Sequence, residues 1–180
     1  MFVSHHTLKM SYYYIEGNIG SGKTQLLNEL KKRFAKKVDI YLESLEKWQN
    51  YKNKYNLLQL MYSCPEKYAV QFQIVAQLTQ IQREHVALRS IKPYIFFERS
   101  LNTQILFIES LYTNLKISEL DFFILRDLYL NTSNTISDFK VIYLQSDPKI
   151  CLSRIKKRNR AEEINVSLTY LERLHEGHND

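Results

Sequence analysis

A chain of 180 residues with 44% hydrophobic residues has the length of one ordinary domain and enough apolar material for a core. Its net charge of +6 suits an anionic partner, nucleotide or nucleic acid, and separates neither. Two distant, unpatterned cysteines, Cys64 and Cys151, exclude a disulfide framework and a zinc spacing, and no apolar run is long enough to span a membrane.

The start of the chain lacks an apolar signal core followed by a small-residue cleavage site. A protein of a reducing compartment, the cytoplasm, is therefore expected, with no membrane partner. Met10, just ahead of the first predicted strand, is an alternative start to Met1.

Residues 12–16 form a short aromatic and aliphatic run that reads as a buried strand. A glycine-rich loop follows. Residues 24–37 then form a helix, with Leu26, Leu27, Leu30 and Phe34 on one face and a basic end that suits the helix dipole. Residues 38–42 make a second strand. The segment 48–64 is mixed, with a helical turn or two around Leu57, Leu58 and Met61, and Pro65 punctuates it.

Residues 66–89 carry a long helical pattern, with Phe72, Val75 and Leu78 among its spaced apolar positions. A strand at 94–97, helices at 101–112 and 118–130, a loop at 131–137 and a strand at 140–145 follow. Asp147 caps a helix that has Pro148 at its first position. Ser167 caps a last helix through residue 174. Strands alternate with helices without an internal repeat, which predicts a single α/β domain with a parallel sheet covered on both faces.

The loop at 17–24, G-N-I-G-S-G-K-T, fits G-x-x-x-x-G-K-[ST] between a strand and a helix. Gly17, Gly20 and Gly22 let the backbone curl round an anion. The N–H groups of Asn18, Ile19 and Ser21 and the helix start then point at phosphate. Lys23 reaches the β- and γ-phosphates of a nucleoside triphosphate, ATP in the simplest case, and Thr24 supplies a hydroxyl to Mg²⁺.

Phosphoryl transfer to an alcohol further needs a base, a second metal anchor and cations for the moving group. Glu43 ends the second predicted strand, where functional groups of open α/β sheets gather. Position alone leaves open a solvated glutamate. Glu98-Arg99-Ser100 closes the third strand and faces the same crevice, against the alternative of a surface ion pair. Arg154 and Arg158 share a helix face and Arg160 follows. They suit either a phosphate clamp or a solvated basic helix end. The run 155–160, I-K-K-R-N-R, also has the look of a nucleic-acid patch, a weak pattern that solvated helices share.

Four stretches in order, I-E-G-N-I-G-S-G-K-T, L-E-S-L-E-K-W, F-E-R-S and Y-L-Q-S-D-P-K-I-C-L-S-R-I-K-K-R-N-R-A-E-E, resemble the deoxynucleoside kinases. So does the ending L-x-Y-L-x-x-L-H-x-x-H, which makes His175 and His178 packing residues rather than metal ligands. The likeness runs from about residue 14 to 178. It implies a P-loop kinase fold with about four parallel strands, flanking helices and an arginine-rich lid. It also implies ATP and Mg²⁺, a deoxynucleoside substrate, a homodimer and no nucleic-acid partner.

By the same resemblance Glu43 takes the proton of the nucleoside 5′-hydroxyl, Arg99 holds that hydroxyl and Glu43, and Glu98 anchors Mg²⁺ with Thr24. Arg154, Arg158 and Arg160 belong to the lid, with Arg158 and Lys23 acting on the transferred phosphoryl group. Tyr62 and Glu163 hold the sugar 3′-hydroxyl, and Gln73 pairs with the base. Phe72 and Trp48 wall the base pocket, with Ile19, Leu58 and Ile108 nearby.

Positions that select the base depart from both main branches of the family. Gln80 and Gln104 stand where relatives that take deoxycytidine and purines carry arginine and aspartate, and where thymidine-accepting relatives carry smaller or apolar residues. Ala76 leaves room for a larger base. A broad enzyme with pyrimidines among its substrates is expected. Ser44 replaces a frequent proline with little expected effect. The family continues beyond the position of Asp180 into a fifth strand and a loop touching the donor's adenine, which leaves donor preference open. A composition rich in Asn, Lys, Ile and Tyr suits a viral or AT-rich genome, and hence a host cytoplasm. The alternatives are a thymidylate-type nucleoside-monophosphate kinase, disfavoured because Glu43 would repel the acceptor phosphate, and a catalytically weak nucleotide-binding subunit.

Overall fold

A computed structural model describes residues 10–132 and 135–179. Met1 lies outside the described residues. Four parallel strands form one sheet: β1 (Ser11–Glu16), β2 (Val38–Tyr41), β3 (Tyr94–Glu98) and β4 (Phe139–Tyr143), in the order β2-β3-β1-β4. The chain leaves β1 towards β2 and β3, then crosses over to β4. The winding therefore reverses at β1, which places a ligand crevice beyond its carboxyl end.

The predicted strands recur within two residues at each end. Burial is deepest in β1 and β3, whereas β4 leaves Val141 and Ile142 exposed. Ile15, Ile95 and Phe97 are fully buried, each contributing about 1.5–3 kcal/mol. Tyr14 stacks on Phe97, which stacks on Tyr41, so one aromatic row ties β1, β3 and β2 together.

The helices are α1 (Lys23–Phe34), α2 (Leu45–Gln49), α3 (Leu57–Ser63), α4 (Pro65–Ala87), α5 (Leu101–Thr113), α6 (Glu119–Thr132), α7 (Pro148–Arg158) and α8 (Leu168–Asn179), with a 3₁₀ turn at Ala161–Glu163 before α8. Pro65 and Pro148 sit at the first turn of α4 and α7, where no intrahelical N–H is lost. Asp147 caps α7 by accepting from the Lys149 N–H at 2.7 Å, and Ser167 caps α8 through the Tyr170 N–H at 3.1 Å.

Several expectations shift. Helix α1 stops at Phe34, which is 49% exposed, and of its apolar positions only Leu27 is fully buried. Helix α2 begins at Leu45, ahead of the segment 48–64 expected to be mixed, and turns Trp48 into the core. Helix α6 extends through Thr132 into the expected loop, of which residues 133 and 134 lie outside the description. Helix α8 runs on to Asn179. No helix among the described residues is long and apolar enough to cross a membrane.

Candidate active site

Beyond the carboxyl edge of the sheet lies a cavity of about 540 Å³, closed in by α4, α5 and the α7–α8 segment. That volume is typical of small-molecule sites. The loop at 17–22 forms one wall. Gly17 (φ +139°) and Gly20 (φ +79°) hold backbone conformations that side chains rarely adopt. A Cβ at either would lie 2.6 Å from a carbonyl oxygen, that of Leu144 or of Cys151. The glycines thus let the loop rest directly against the end of β4 and on α7.

The loop is anchored at both ends. Asn18 donates from Nδ2 to the Leu171 carbonyl at 2.7 Å and accepts from the Ile19 N–H at 2.8 Å, which ties the loop to α8. Arg154 donates to the Ser21 carbonyl at 2.9 Å and so spans from α7 to the loop. Ser21 itself is buried. Lys23 opens α1 and is 5% exposed. Its Nζ donates to the carbonyls of Gly17 (3.0 Å) and Asn18 (2.8 Å). Burial, aided by Arg99, brings its ammonium down to about 7, against the opposing pull of Glu43, Glu98 and Glu16.

The next residue, Thr24, donates its hydroxyl to Glu98 Oε1 at 2.5 Å. A hydroxyl and a carboxylate converging beside a phosphate loop are hard oxygen donors, a set that fits Mg²⁺. Glu98 is buried at the end of β3, and its other oxygen accepts from the Glu43 N–H at 3.4 Å. Glu43 follows β2 and forms an ion pair with Arg99, Nε to Oε1 at 3.0 Å, with the arginine side chain 8% and the glutamate 21% exposed. Arg99 has φ +62° and lays its guanidinium over the Phe107 ring at 5.0 Å. Its Nη1 is buried with no hydrogen-bond partner among the described residues.

On the lid side, Arg158 and Arg160 each hold one oxygen of Glu163, Arg160 at 2.6 Å. Trp48 meets Phe72 edge-on at 5.4 Å and donates its indole N–H to Thr79 at 3.0 Å, fixing the apolar wall. Burial holds the Tyr62 hydroxyl far above its ordinary pKa, with Tyr170 and Glu163 adding to it. Ile19, Leu58, Tyr62, Gln73, Ala76 and Gln104 line the cavity too, and Gln104 Oε1 is buried without a partner among the described residues.

The family described as deoxynucleoside kinase matches residues 13–180. The chain belongs to the deoxynucleoside kinase family. It is 32% identical to human mitochondrial thymidine kinase 2 over 175 residues, which are 96% of this chain and 64% of that enzyme. It is 33% identical to human deoxycytidine kinase (91% of this chain, 72% of the relative) and 32% identical to deoxycytidine kinase 1 of Xenopus laevis (94% and 73%). The chain thus spans 64% to 73% of the length of these relatives.

Two residues expected in this family member's base pocket lie elsewhere. Gln80 does not line the cavity. It is 1% exposed, and its Nε2 donates to Glu84 (2.9 Å) and to the Arg99 carbonyl (3.3 Å). Ile108 is fully buried in the core, and the cavity wall is formed by its neighbour Phe107, one helix face round, with Thr103, Gln104 and Leu111. Both faces of α5 are apolar, so its sequence alone does not mark which one meets the ligand.

Other residues were missed. Buried Glu16 accepts from the Ser100 N–H at 2.7 Å and from the Thr103 hydroxyl, fixing the start of α5 beside the loop. Its position one residue before Gly17 was the available signal. Tyr170 lines the cavity from α8, and burial pushes its hydroxyl up to about 12. It stands inside the L-x-Y-L ending, ahead of His175 and His178. His178 lies 5.5 Å from the Tyr143 ring, and burial first, then Arg99, lowers its imidazole to about 4. Among the described residues no group of three or more side chains is arranged to hold a metal through His, Cys, Asp or Glu alone.

Proposed function

We propose that this chain transfers the γ-phosphoryl group of ATP to the 5′-hydroxyl of a deoxynucleoside, pyrimidines and purines both being accepted. The observation that carries the proposal is the Glu43–Arg99 ion pair in the same cavity as the glycine loop. It sets a carboxylate in the cavity beside the glycine loop, where it could take a proton from an incoming hydroxyl, and the guanidinium fixes its orientation. Family membership and the likeness to thymidine kinase 2 and deoxycytidine kinase favour a nucleoside acceptor.

In this reading Glu43 accepts the hydroxyl proton through the oxygen that Arg99 leaves free. Arg99 orients that carboxylate and offers its unpartnered Nη1 to the attacking oxygen. Lys23 gives up its contacts with the loop carbonyls to face the phosphates, and Arg158 and Arg160 close from the lid on the charge spread over the phosphoryl oxygens. Thr24 and Glu98 would hold Mg²⁺, which would supply positive charge against the phosphates. Tyr62 and Glu163 take the sugar 3′-hydroxyl. Gln73 and Gln104 meet the base edge, and an amide can turn to present either a donor or an acceptor. That property supports broad base acceptance. A homodimer working in the cytoplasm belongs to the same proposal, on the family relation.

The thymidylate-type alternative differs in the charge it needs at the acceptor end. A monophosphate there would meet the Glu43 carboxylate. Titration calorimetry with deoxycytidine, thymidine and their 5′-monophosphates, without ATP, separates the two. The nucleosides are expected to bind at least about tenfold more tightly, roughly 1.4 kcal/mol. Tighter binding of the monophosphates would overturn the nucleoside reading.

A further inference from the structure

Helix α4 presents Gln80, Arg83 and Glu84 together, at i, i+3 and i+4. These polar residues lie behind the cavity wall rather than in it. Arg83 donates from Nη1 to two backbone carbonyls, those of Tyr41 and Glu98, both at 3.2 Å. Gln80 donates to the carbonyl of Arg99 at 3.3 Å and to Glu84 at 2.9 Å. Glu84 in turn accepts from the Tyr14 hydroxyl at 2.9 Å, which roots the group in β1.

The gripped carbonyls stand at sensitive points. Tyr41 ends β2 two residues before Glu43, and Glu98 and Arg99 are themselves site residues. Carbonyls at a strand's end have left the ladder and need partners. Arg99 is also held in the left-handed region, φ +62°. For a residue with a side chain that costs about 1–3 kcal/mol and persists only where the surroundings over-determine it. Here the Arg99 N–H donates to the Ile15 carbonyl at 3.1 Å and its carbonyl accepts from Gln80, so both sides of the residue are pinned. Burial lowers the Arg83 guanidinium against the opposing pull of Glu43, Glu98 and Glu84.

We propose that Arg83 and Gln80 are positioning residues for phosphoryl transfer, gripping the ends of β2 and β3 from behind so that Glu43, Glu98 and Arg99 keep their mutual spacing. This rests on the kinase reading above. It also gives Gln80 a role other than base selection.

The test compares Arg83→Met, Arg83→Lys and Gln80→Met with the wild type and with Gln82→Ala, an exposed position on the same helix. Each is measured for kcat and KM with thymidine and deoxycytidine, for thermal unfolding, and for the Arg99 Nε–H resonance by NMR. A misplacement of about 1 Å costs roughly 10²-fold, so Arg83→Met is expected to lose about 10²-fold in kcat with KM changed much less. Gln80→Met is expected to lose in the same direction, and Arg83→Lys to recover part of the loss. The Arg99 Nε–H signal shifts in both Met variants and stays in place in Gln82→Ala.

A lowered melting temperature with unchanged kcat and an unmoved Arg99 signal would make these residues mere packing and overturn the proposal. A changed thymidine-to-deoxycytidine ratio in Gln80→Met, with kcat on the better substrate intact, would return Gln80 to base reading and overturn its part. Should Arg83→Met fail to fold, Arg83→Lys and Gln80→Met carry the same readouts. A wild type that phosphorylates neither nucleoside refutes the kinase reading, and the Arg99 resonance then decides the clasp by itself.

Discussion

Glu43→Gln is expected to lower kcat by about 10²–10⁴-fold, the range of a lost general base, with KM for the nucleoside changed only a few-fold. The amide keeps the size and one acceptor oxygen of the carboxylate but cannot take the hydroxyl proton. It also removes the partner of Arg99, whose side chain is 8% exposed. Breaking a buried pair costs about 3–5 kcal/mol, and the partial exposure of Glu43 places this case lower, near 1–2 kcal/mol. Denaturant unfolding measures that loss and steady-state kinetics measures the other. Full turnover with ordinary nucleoside affinity would mean that Glu43 is not the base.

Lys23→Met acts on the other half of the site. The substitution keeps the buried stem and removes the ammonium that now donates to Gly17 and Asn18. Loss of one preorganised donor to developing charge costs about 10²–10³-fold, so kcat/KM for ATP is expected to fall by that much. Nucleoside binding without ATP is expected to stay close to wild type, because the Lys23 ammonium is held on the loop side of the cavity by the Gly17 and Asn18 carbonyls. A parallel loss of nucleoside affinity would show that Lys23 supports the whole cavity rather than the donor side.

These effects fall on residues that were legible in the chain. The glycine loop is a local pattern whose chemistry depends on neighbours in sequence, so the sequence by itself marks Gly17 to Thr24 as a candidate phosphate loop. Glu43, Glu98 and Arg99 follow short apolar strands, and parallel topology brings such strand ends to one edge. The helical walls were harder. On α4 the apolar Leu78 is 47% exposed while Gln77, Gln80 and Glu84 are buried. Their burial is made possible by partners far along the chain: Tyr14, the Arg99 carbonyl and Thr132. No spacing rule within the helix encodes those partners. The same holds for Phe107, chosen over Ile108 by the guanidinium of Arg99 lying over its ring. It holds also for Glu162, which accepts from Gln49 and Asn56 and so fastens the lid side to the start of α3.

The lid differs from its sequence expectation in one physical respect. Its arginines do not stand free for phosphate. Arg154 is engaged with the loop carbonyl of Ser21, and Arg158 and Arg160 share Glu163. A carboxylate so placed keeps two cations beside the cavity before any phosphate arrives, and it lines that cavity together with Tyr62.

The central claim is that the acceptor is a nucleoside 5′-hydroxyl. Its most direct measurement is turnover with γ-labelled ATP and Mg²⁺ against the four deoxynucleosides and dTMP, with the products separated. Labelled 5′-monophosphates are expected from pyrimidine and purine deoxynucleosides, with little or no labelled diphosphate from dTMP. Label appearing only in the diphosphate, or in no product at all, would contradict the account.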